Sequence, residues 1–344
     1  MPPFPGTVVK IFSPKHPIHR YGKIFPFLAW DGDEVVGRVA VTINHAHNKY
    51  YGDKVGFFGF FEPGKREDVA EALFAKVEEV LRSEGMASAR GPYNPTVNDE
   101  CGLLVEGFDS PPMIMMPHNP PYYADMYEKL GLKPARELYA YYMSAHATPP
   151  ERYRKIVERF RKRTGIKLRN MVLKNLEQEL ATVHRLYNQT LDRNWGFVPI
   201  TLEDLEFAAA DLKSILRPEM AMIAEKDGEP VGFSLAFPNI NEFMWRARSS
   251  KGLMRILKFL WLLKTSNPKE ARLAILGVHP DYRNKGIAPV FYYESLTRAS
   301  HVYDGGEMSW VEESNEEMSK AIRLLGAKRY KTYRIYEKPL EATV

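Results

Sequence analysis

Apolar residues recur along this chain in two rhythms. Alternation with period two marks strands, and three- to four-residue spacing marks helices. The stretch "AWDGDEVVGRVAVTI" (29–43) alternates on both sides of Asp31-Gly32, which predicts a β-hairpin. "VGFFGFF" (55–61) has no polar break and predicts a buried strand. In "REDVAEALFAKVEEVLRSEG" (66–85), Ala70, Leu73, Phe74, Val77, Val80 and Leu81 share one face, predicting an amphipathic helix stopped by Gly85. The series then returns. "IAEKDGEPVGFSLAF" (223–237) predicts a hairpin turning at Asp227-Gly228, and "RLAILGV" (272–278) a strand. "IAPVFYYESLTRAS" predicts a helix that tolerates Pro289 because it lies in the first turn, and "EMSWVEE" (307–313) the next strand.

The return has a fixed offset. Asp31 and Asp227 are 196 positions apart, and Gly37 and Gly232 are 195 apart. Near the end of each half, "HNPPYYADMYEKLGLKPARELYAYYM" parallels "SNEEMSKAIRLLGAKRYKTYRIYEKP". Asn119 and Asn315 are 196 positions apart, while Gly131/Gly326 and Tyr141/Tyr336 are each 195 apart. One offset at separated anchors implies a fold built twice. The expected class is α/β with a mixed, α+β-type sheet, in two tandem domains. The expected boundaries are 1–146 and 168–344. A linker helix over 147–167 follows Pro149-Pro150, with a solvated basic face carrying Arg152, Arg154, Lys155, Arg159, Arg161, Lys162 and Arg163.

Length and composition agree with two soluble globular domains: 344 residues, 44% hydrophobic and 26% charged. The net charge of +5 is too mild to name a partner, and no nucleic acid is expected. Cys101 is the single cysteine, so no intramolecular disulfide forms, and a reducing, cytoplasmic setting is expected. "MPPFPGTVVK" lacks the apolar core of a signal peptide. Nothing in the pattern sets the oligomeric state.

The chemistry concentrates in "GVHPDYRNKGIAPVFYYE" (277–294), where a buried strand runs through a basic loop into a helix. The first N–H groups of a helix lack intrahelical partners, and the helix dipole adds positive potential there. Gly286 lets a ligand approach the backbone, Arg283 and Lys285 add charge, and the small Ala288 keeps the helix start open. Such a site suits a pyrophosphate. A P-loop is excluded because no Gly-Lys-Ser/Thr follows.

"V-x-P-x-Y-R-x-K-G-I-A" resembles the acyl-CoA motif of the GCN5-related N-acetyltransferases, Arg/Gln-x-x-Gly-x-Gly/Ala, with Arg283, Gly286 and Ala288 filling the pattern. "SNEEMSKAIRLLGAKRYKTYRIYEKP" resembles that family's terminal motif, in which an Asn opens a helix ending in Leu-Gly. The resemblance covers 168–340 with both motifs and 7–143 more weakly. It implies two tandem domains of this type, the second binding acetyl-CoA or a longer acyl-CoA as co-substrate. Arg283, Asn284, Lys285, Gly286, Ile287, Ala288 and Asn315 would hold it, and the backbone from Leu276 to Val278 would polarise the thioester. No metal is implied. In the first half the loop reads "EPGKRED", and Glu62, Glu67 and Asp68 would repel a pyrophosphate. That half is expected to shape the acceptor site.

The resemblance also implies direct attack of an amine on the thioester. Glu313, or Glu312 beside it, is expected as the base, with His279 a second candidate. The family's tyrosine acid falls on Ile322, whereas the first half has Tyr127 at the matching place. Tyr292, Tyr293 and Tyr333 are the acid candidates, and Tyr333 is expected to act with Glu313. The long segment "RGPYNPTVNDECGLLVEGFDSPPMIMMPHNPPYY" (90–123) is dense in polar side chains. Asn98, Asp99, Glu100, His118, Asn119 and Tyr122 are expected to bind the acceptor. No helical His spacing suggests a metal there.

"FMWRARSSKGLMRILKFLWLLKTSNPKE" (243–270) carries Leu253, Ile256, Leu257, Leu260 and Leu263 at helical spacing, with Trp261 nearby and Arg255, Lys258 and Lys264 around them. Its core "GLMRILKFLWLLK" is too short and too charged to span a bilayer. Three readings fit: a helix docked between the halves, a wall for a long acyl chain, or a helix in peripheral contact with a membrane. The expected activity is acyl-CoA-dependent N-acylation of a small-molecule or lipid-like amine. The alternatives are a lipid-type acyltransferase using long chains and a non-catalytic CoA-binding protein. An aminoacyl-tRNA-dependent transferase is disfavoured by the intact loop.

Overall fold

The computed structural model describes residues 7–340 of the protein. In chain order, the first part runs α1 (Thr7–Ile11), β1 (Gly22–Asp31), β2 (Glu34–Asn44), α2 (His45–Tyr51), β3 (Val55–Glu62) and α3 (Glu67–Ser83). Short strands β4 (Ser88–Gly91), β5 (Tyr93–Asn94), β6 (Glu100–Cys101) and β7 (Leu103–Glu106) follow, then α4 (Tyr123–Lys129) and β8 (Lys133–Ser144). Next come α5 (Glu151–Arg163), β9 (Ile166–Asn170), α6 (Leu176–Thr190), α7 (Leu202–Leu212), β10 (Ala221–Lys226) and β11 (Glu229–Pro238). The chain closes with α8 (Asn241–Ala247), α9 (Gly252–Thr265), β12 (Glu270–Val278), α10 (Ile287–Ala299), β13 (Gly305–Glu312), α11 (Glu316–Leu325) and β14 (Lys328–Pro339). Local signals set the boundaries. Thr201 and Asp204 form a capping box on α7, Asn315 caps α11 through the Met318 N–H, and left-handed Gly326 ends α11.

Two compact units result: Met1–Leu138 with Lys331–Val344, and Tyr139–Tyr330. The expected division at 146 and 168 differs in two ways. Lys331–Val344 belongs with the first unit. The helix expected as a linker, α5, is part of the second, where Tyr153, Val157 and Phe160 are buried and Tyr153 Oη donates to Pro289 O on α10 at 3.1 Å. Its basic face does point to solvent, because helical spacing separates those three residues from the arginines.

In the first unit β1, β2 and β3 are antiparallel neighbours, and β3 pairs parallel with β4 from Val55↔Ser88 to Phe57↔Arg90. The crossover helix α3 buries Val69, Leu73, Phe74, Val77 and Leu81 on this sheet, with Tyr127 and Tyr336 in the same cluster. The far side of β4 pairs with β14, Tyr336↔Gly91 to Pro339↔Ser88, and β7 also lies on β14. In the second unit β9, β10, β11 and β12 are antiparallel in that order, and β12 pairs parallel with β13. α10 makes that crossover. Each unit is therefore a mixed sheet with one parallel pair and a crossover helix, the repeated plan that the 195-to-196-residue offset anticipated.

The parallel ladder between β12 and β13 is short. It runs from Glu270↔Gly305 to Leu273↔Met308 and stops. At that point sits a buried polar group that the strand patterns did not flag. Arg272 and Glu307 are 2% and 1% exposed. Arg272 Nε donates to Ser309 Oγ at 2.8 Å, Arg272 Nη2 donates to Ser309 O at 3.2 Å, and Arg272 Nε lies 3.7 Å from Glu307 Oε1. Ser309 Oγ and Tyr330 Oη both donate to the Glu307 carboxylate. A buried ion pair of this kind costs little while intact and much when one partner goes. Glu307→Leu is expected to lower unfolding stability by about 3–5 kcal/mol. Arg272→Met combined with Glu307→Leu should lose less than Glu307→Leu alone. Urea denaturation checks both, and a single variant within about 1 kcal/mol of wild type would show that the pair is not held as described.

Candidate functional site

The site forms where β12 and β13 part. Beyond Leu273 and Met308 no register pairs join the strands, so β12 from Ala274 to Val278 faces a gap. On its other edge β12 still pairs with β11, with a shift between Leu235 and Ala236 that leaves Ala274 as the extra residue of a bulge. Past the bulge, His279 N–H donates to Val231 O at 2.9 Å, on the β11 side. Backbone groups alternate along a strand, so the N–H groups of Val278 and Leu276 turn to the opposite edge, toward the gap. These are the two backbone positions expected to polarise a thioester.

The loop after β12 begins as a short 3-10 turn, Pro280–Tyr282, with His279 Nδ1 accepting from Asp281 N–H at 3.4 Å. Asn284 and Gly286 then take positive φ values of 62° and 89°. Gly286 is the residue immediately before α10, and only glycine takes that conformation without strain. Phe160 of α5 lies 3.5 Å beneath the place a Cβ would occupy. The helix opens without an acidic residue in its first turn. Ile287 and Ala288 therefore present N–H groups with no intrahelical acceptor, and Pro289 has none to present.

Arg283 is placed differently from the expectation of a ligand-facing charge. Its Nη2 donates to Thr190 O, at the end of α6, and to Asp192 Oδ1, both at 2.9 Å. Asp192 offsets much of its charge, so Arg283 chiefly tethers the loop to α6. Its Nη1 is nonetheless buried and lacks a hydrogen-bond partner among the described residues, as befits a donor kept for an anion. Lys285 Nζ lies 4.4 Å from the Tyr282 ring centroid and supplies the exposed charge. The residues present fit the phosphates of CoA: left-handed glycine, orphan N–H groups, a lysine and a buried guanidinium donor.

Glu312 is the last residue of β13, and its carboxylate accepts from the Ser314 N–H at 3.2 Å and from the Ser314 hydroxyl. It serves the turn. Glu313 follows in that turn, half-buried. Asn315 accepts from Met318 N–H at 3.2 Å as the α11 cap. Ile322, at the position of the family's acid, is buried in the core. Tyr292 is buried in the same core, burial pushes its phenol well up, and its Oη has no partner among the described residues. Tyr293 is half-buried.

Tyr333 lies in the first unit, fully buried, with its backbone paired to Leu104. The structure thus places it and Glu313 in different units. The expected acceptor residues are also in the first unit, and several are engaged locally. Asp99 Oδ2 accepts from Thr96 N–H at 3.1 Å and Thr96 Oγ1 at 2.7 Å. Asn98 N–H donates to Thr96 Oγ1 at 3.2 Å, and Glu100 pairs with Asn94 in the β5–β6 hairpin. Asn119 accepts from Leu104 N–H at 2.7 Å and donates to Leu104 O and Pro120 O, both at 3.1 Å, standing in for a strand beside β7. Tyr122 precedes α4 with Lys65 Nζ 5.9 Å from its ring centroid. The His118 imidazole is held below its usual range by burial and by Lys331. Lys331 is buried and donates to Ser110 O at 3.1 Å and Pro111 O at 2.7 Å. Tyr127 sits in an aromatic cluster with Phe58, Phe61 and Tyr336.

Among the described residues, the first unit has no equivalent opening. Past the last β3–β4 pair, β5 folds against β3, and a Cβ on Gly59 would lie 1.7 Å from Tyr93 O. Asn94 Oδ1 accepts from Phe60 N–H at 2.7 Å. Arg66, just before α3, is bound to Asp31 and Asp68. Glu62 accepts from Tyr123 Oη at 2.9 Å, and Glu67 pairs with Lys129. Among the described residues, no cluster of three His, Cys, Asp or Glu side chains could hold a metal ion.

Comparison with known proteins places these features. A model of the Acetyltransferase (GNAT) family matches residues 180–326, which contain the gap, the loop and α11. The chain is 34% identical over 320 residues to a protein named YghO from Escherichia coli, covering 91% of this chain and 82% of that one. It is 33% identical over 338 residues to a protein named bacterial ceramide synthase from Caulobacter vibrioides, covering 95% and 87%. Its fold resembles that of a tandem GNAT protein from the clavulanic acid biosynthesis pathway, with a TM-score of 0.55 at 12% identity over 94% of this chain and 85% of that one. The arrangement of β12, β13 and α10, the family model and the two relatives agree: the chain belongs to the GNAT acyltransferase family.

Proposed function

We propose that this protein transfers a long acyl group from acyl-CoA to the amine of a lipid-like acceptor. The observation that carries the reading is the opening between β12 and β13, which ends in left-handed Gly286 at the start of α10. The relative named as a ceramide synthase supports the acceptor class, since a ceramide is an N-acylated long-chain amino alcohol. In this reading the first N–H groups of α10, Lys285 and Arg283 Nη1 bind the phosphates. The amine nitrogen attacks the thioester carbon, the C–N bond forms, and the carbonyl oxygen gathers charge that the N–H groups of Leu276 and Val278 stabilise. Glu313 takes the ammonium proton, directly or through a water. The C–S bond then breaks, and the sulfur accepts the proton that Glu313 took, directly or through a water, so that CoA leaves as the thiol and the carboxylate is restored. Asn98, Asp99, Glu100, His118 and Tyr122 of the first unit remain the proposed acceptor side, with Asn119 supporting them through β7.

The direct test incubates the protein with long-chain acyl-CoA and a long-chain amino alcohol, following free thiol and amide by mass spectrometry. Binding of acyl-CoA without amide from any amine would favour the CoA-binding alternative. Three outcomes are expected. Gly286→Glu should weaken acyl-CoA binding by at least about a hundredfold in calorimetry, because a side chain at φ 89° meets Phe160 and strains the turn that presents the N–H groups, and its charge repels the phosphates. Wild-type affinity would sink the assignment of the loop. Titration should give one CoA per chain, since Asn94 and Tyr93 occupy the first unit's gap; two equivalent sites would contradict this. Glu313→Gln should lower kcat by about 10²–10⁴ with CoA affinity unchanged, and full activity would remove Glu313 from the mechanism.

A further inference from the structure

Helix α9 has two apolar faces, and the fold covers only one. Phe259 and Leu262 are buried. On the other side Leu253, Met254, Leu257, Leu260 and Trp261 are between 47% and 70% exposed, and Trp245 of α8 is 55% exposed. The spacing of 253, 257, 260 and 261 puts these residues on one face. Apolar residues scattered singly on a surface need no explanation, but a contiguous group of this size marks an interaction surface. The reading in which these leucines dock within the protein is therefore not what the structure shows.

Charge decides what covers the face. Residues 241–269 hold seven Lys and Arg against the single Glu242, a net of +6, more than the +5 of the whole chain. Glu242 is already engaged by Lys269 N–H at 2.8 Å and lies 3.8 Å from Arg246. The Arg248 guanidinium stacks 3.5 Å from the Trp245 ring centroid, and Lys264 is exposed at the far end of the helix. A second copy of the chain would bring like charges together across a two-fold contact. An apolar layer edged with anions meets both requirements.

We propose that α8 and α9 seat this protein on an anionic lipid bilayer. The helix lies in the interfacial plane, with Leu253, Leu257, Leu260 and Trp261 in the acyl boundary and the surrounding lysines and arginines on lipid phosphates. Among the described residues no helix is long and apolar enough to cross a membrane, and α9 has 14 residues. The proposal does not depend on the reaction proposed above, and its test reads binding rather than turnover.

The test is flotation of the full chain with vesicles of phosphatidylglycerol and phosphatidylcholine, against vesicles of phosphatidylcholine alone. Wild type should float with the anionic vesicles, and about 1 M salt should release much of it. Leu257→Glu combined with Trp261→Glu, both surface changes, should reduce the bound fraction at least about tenfold, with thermal stability and CoA affinity unchanged. Arg248→Gln and Lys264→Gln together should weaken binding to anionic vesicles alone. The proposal is overturned if wild type does not float, or if the Leu257/Trp261 variant floats equally. It is also overturned if sedimentation without lipid shows a dimer that this variant dissolves, since the face would then be a self-association surface.

Discussion

The second unit depends on one constraint: two parallel strands must pair and then part at a defined residue. A ladder left to itself would continue, because each backbone N–H and C=O needs a partner. Here Arg272 takes the place of the ladder. Its guanidinium holds Ser309 O, the carbonyl just past the last pair at Leu273↔Met308, and its charge is balanced by Glu307. Arg272 also lies 5.1 Å from the Trp310 ring centroid, on the strand it separates. Once the strands have parted, the freed edge of β12 turns Leu276 and Val278 toward the gap. The same strand delivers the chain to Gly286, and α10 starts there.

The first unit shows what happens to the same plan when the gap is filled. Its parallel pair is also short, ending at Phe57↔Arg90. Yet the polypeptide itself fills the space there, with Tyr93 O against Gly59 and Asn94 Oδ1 on Phe60 N–H. The acidic residues after β3 complete the change, because the one arginine near the helix start is neutralised by Asp31 and Asp68. The two units share a scaffold, and the difference between their parallel pairs is a matter of a few backbone groups.

Much of this was legible in the sequence because it is local. Periodicity located β3, α3, β12 and α10, and the 195-to-196-residue offset exposed the repeat. The left-handed turn could be expected at Gly286, since it sits between a strand and a helix. What escaped was long-range satisfaction of polar groups. Arg283 is legible as a charge in the loop, but not its tether to Asp192, 91 positions earlier. Asn119 looked like part of a binding loop, but it completes the edge of β7. Arg272 and Glu307 did leave a trace, as charges inside otherwise apolar strands, and that signal belonged with the site. The connector expected over 147–167 rests on the basic residues that dominate its composition, while the three that matter for packing, Tyr153, Val157 and Phe160, are spaced among them.

The last strand carries a consequence for the order of folding. Most of β14, from Lys331 on, is synthesised after the second unit, yet residues Tyr336 to Pro339 form the neighbour of β4 in the first. On the ribosome, domains made first usually fold first. Until β14 emerges, the earlier unit has β4 paired on one edge only and Tyr336 missing from its core, an open sheet edge on a nascent chain. The second unit, whose strands lie within one continuous stretch, is free to close sooner. The part of the protein that emerges first is thus the one whose completion waits longest.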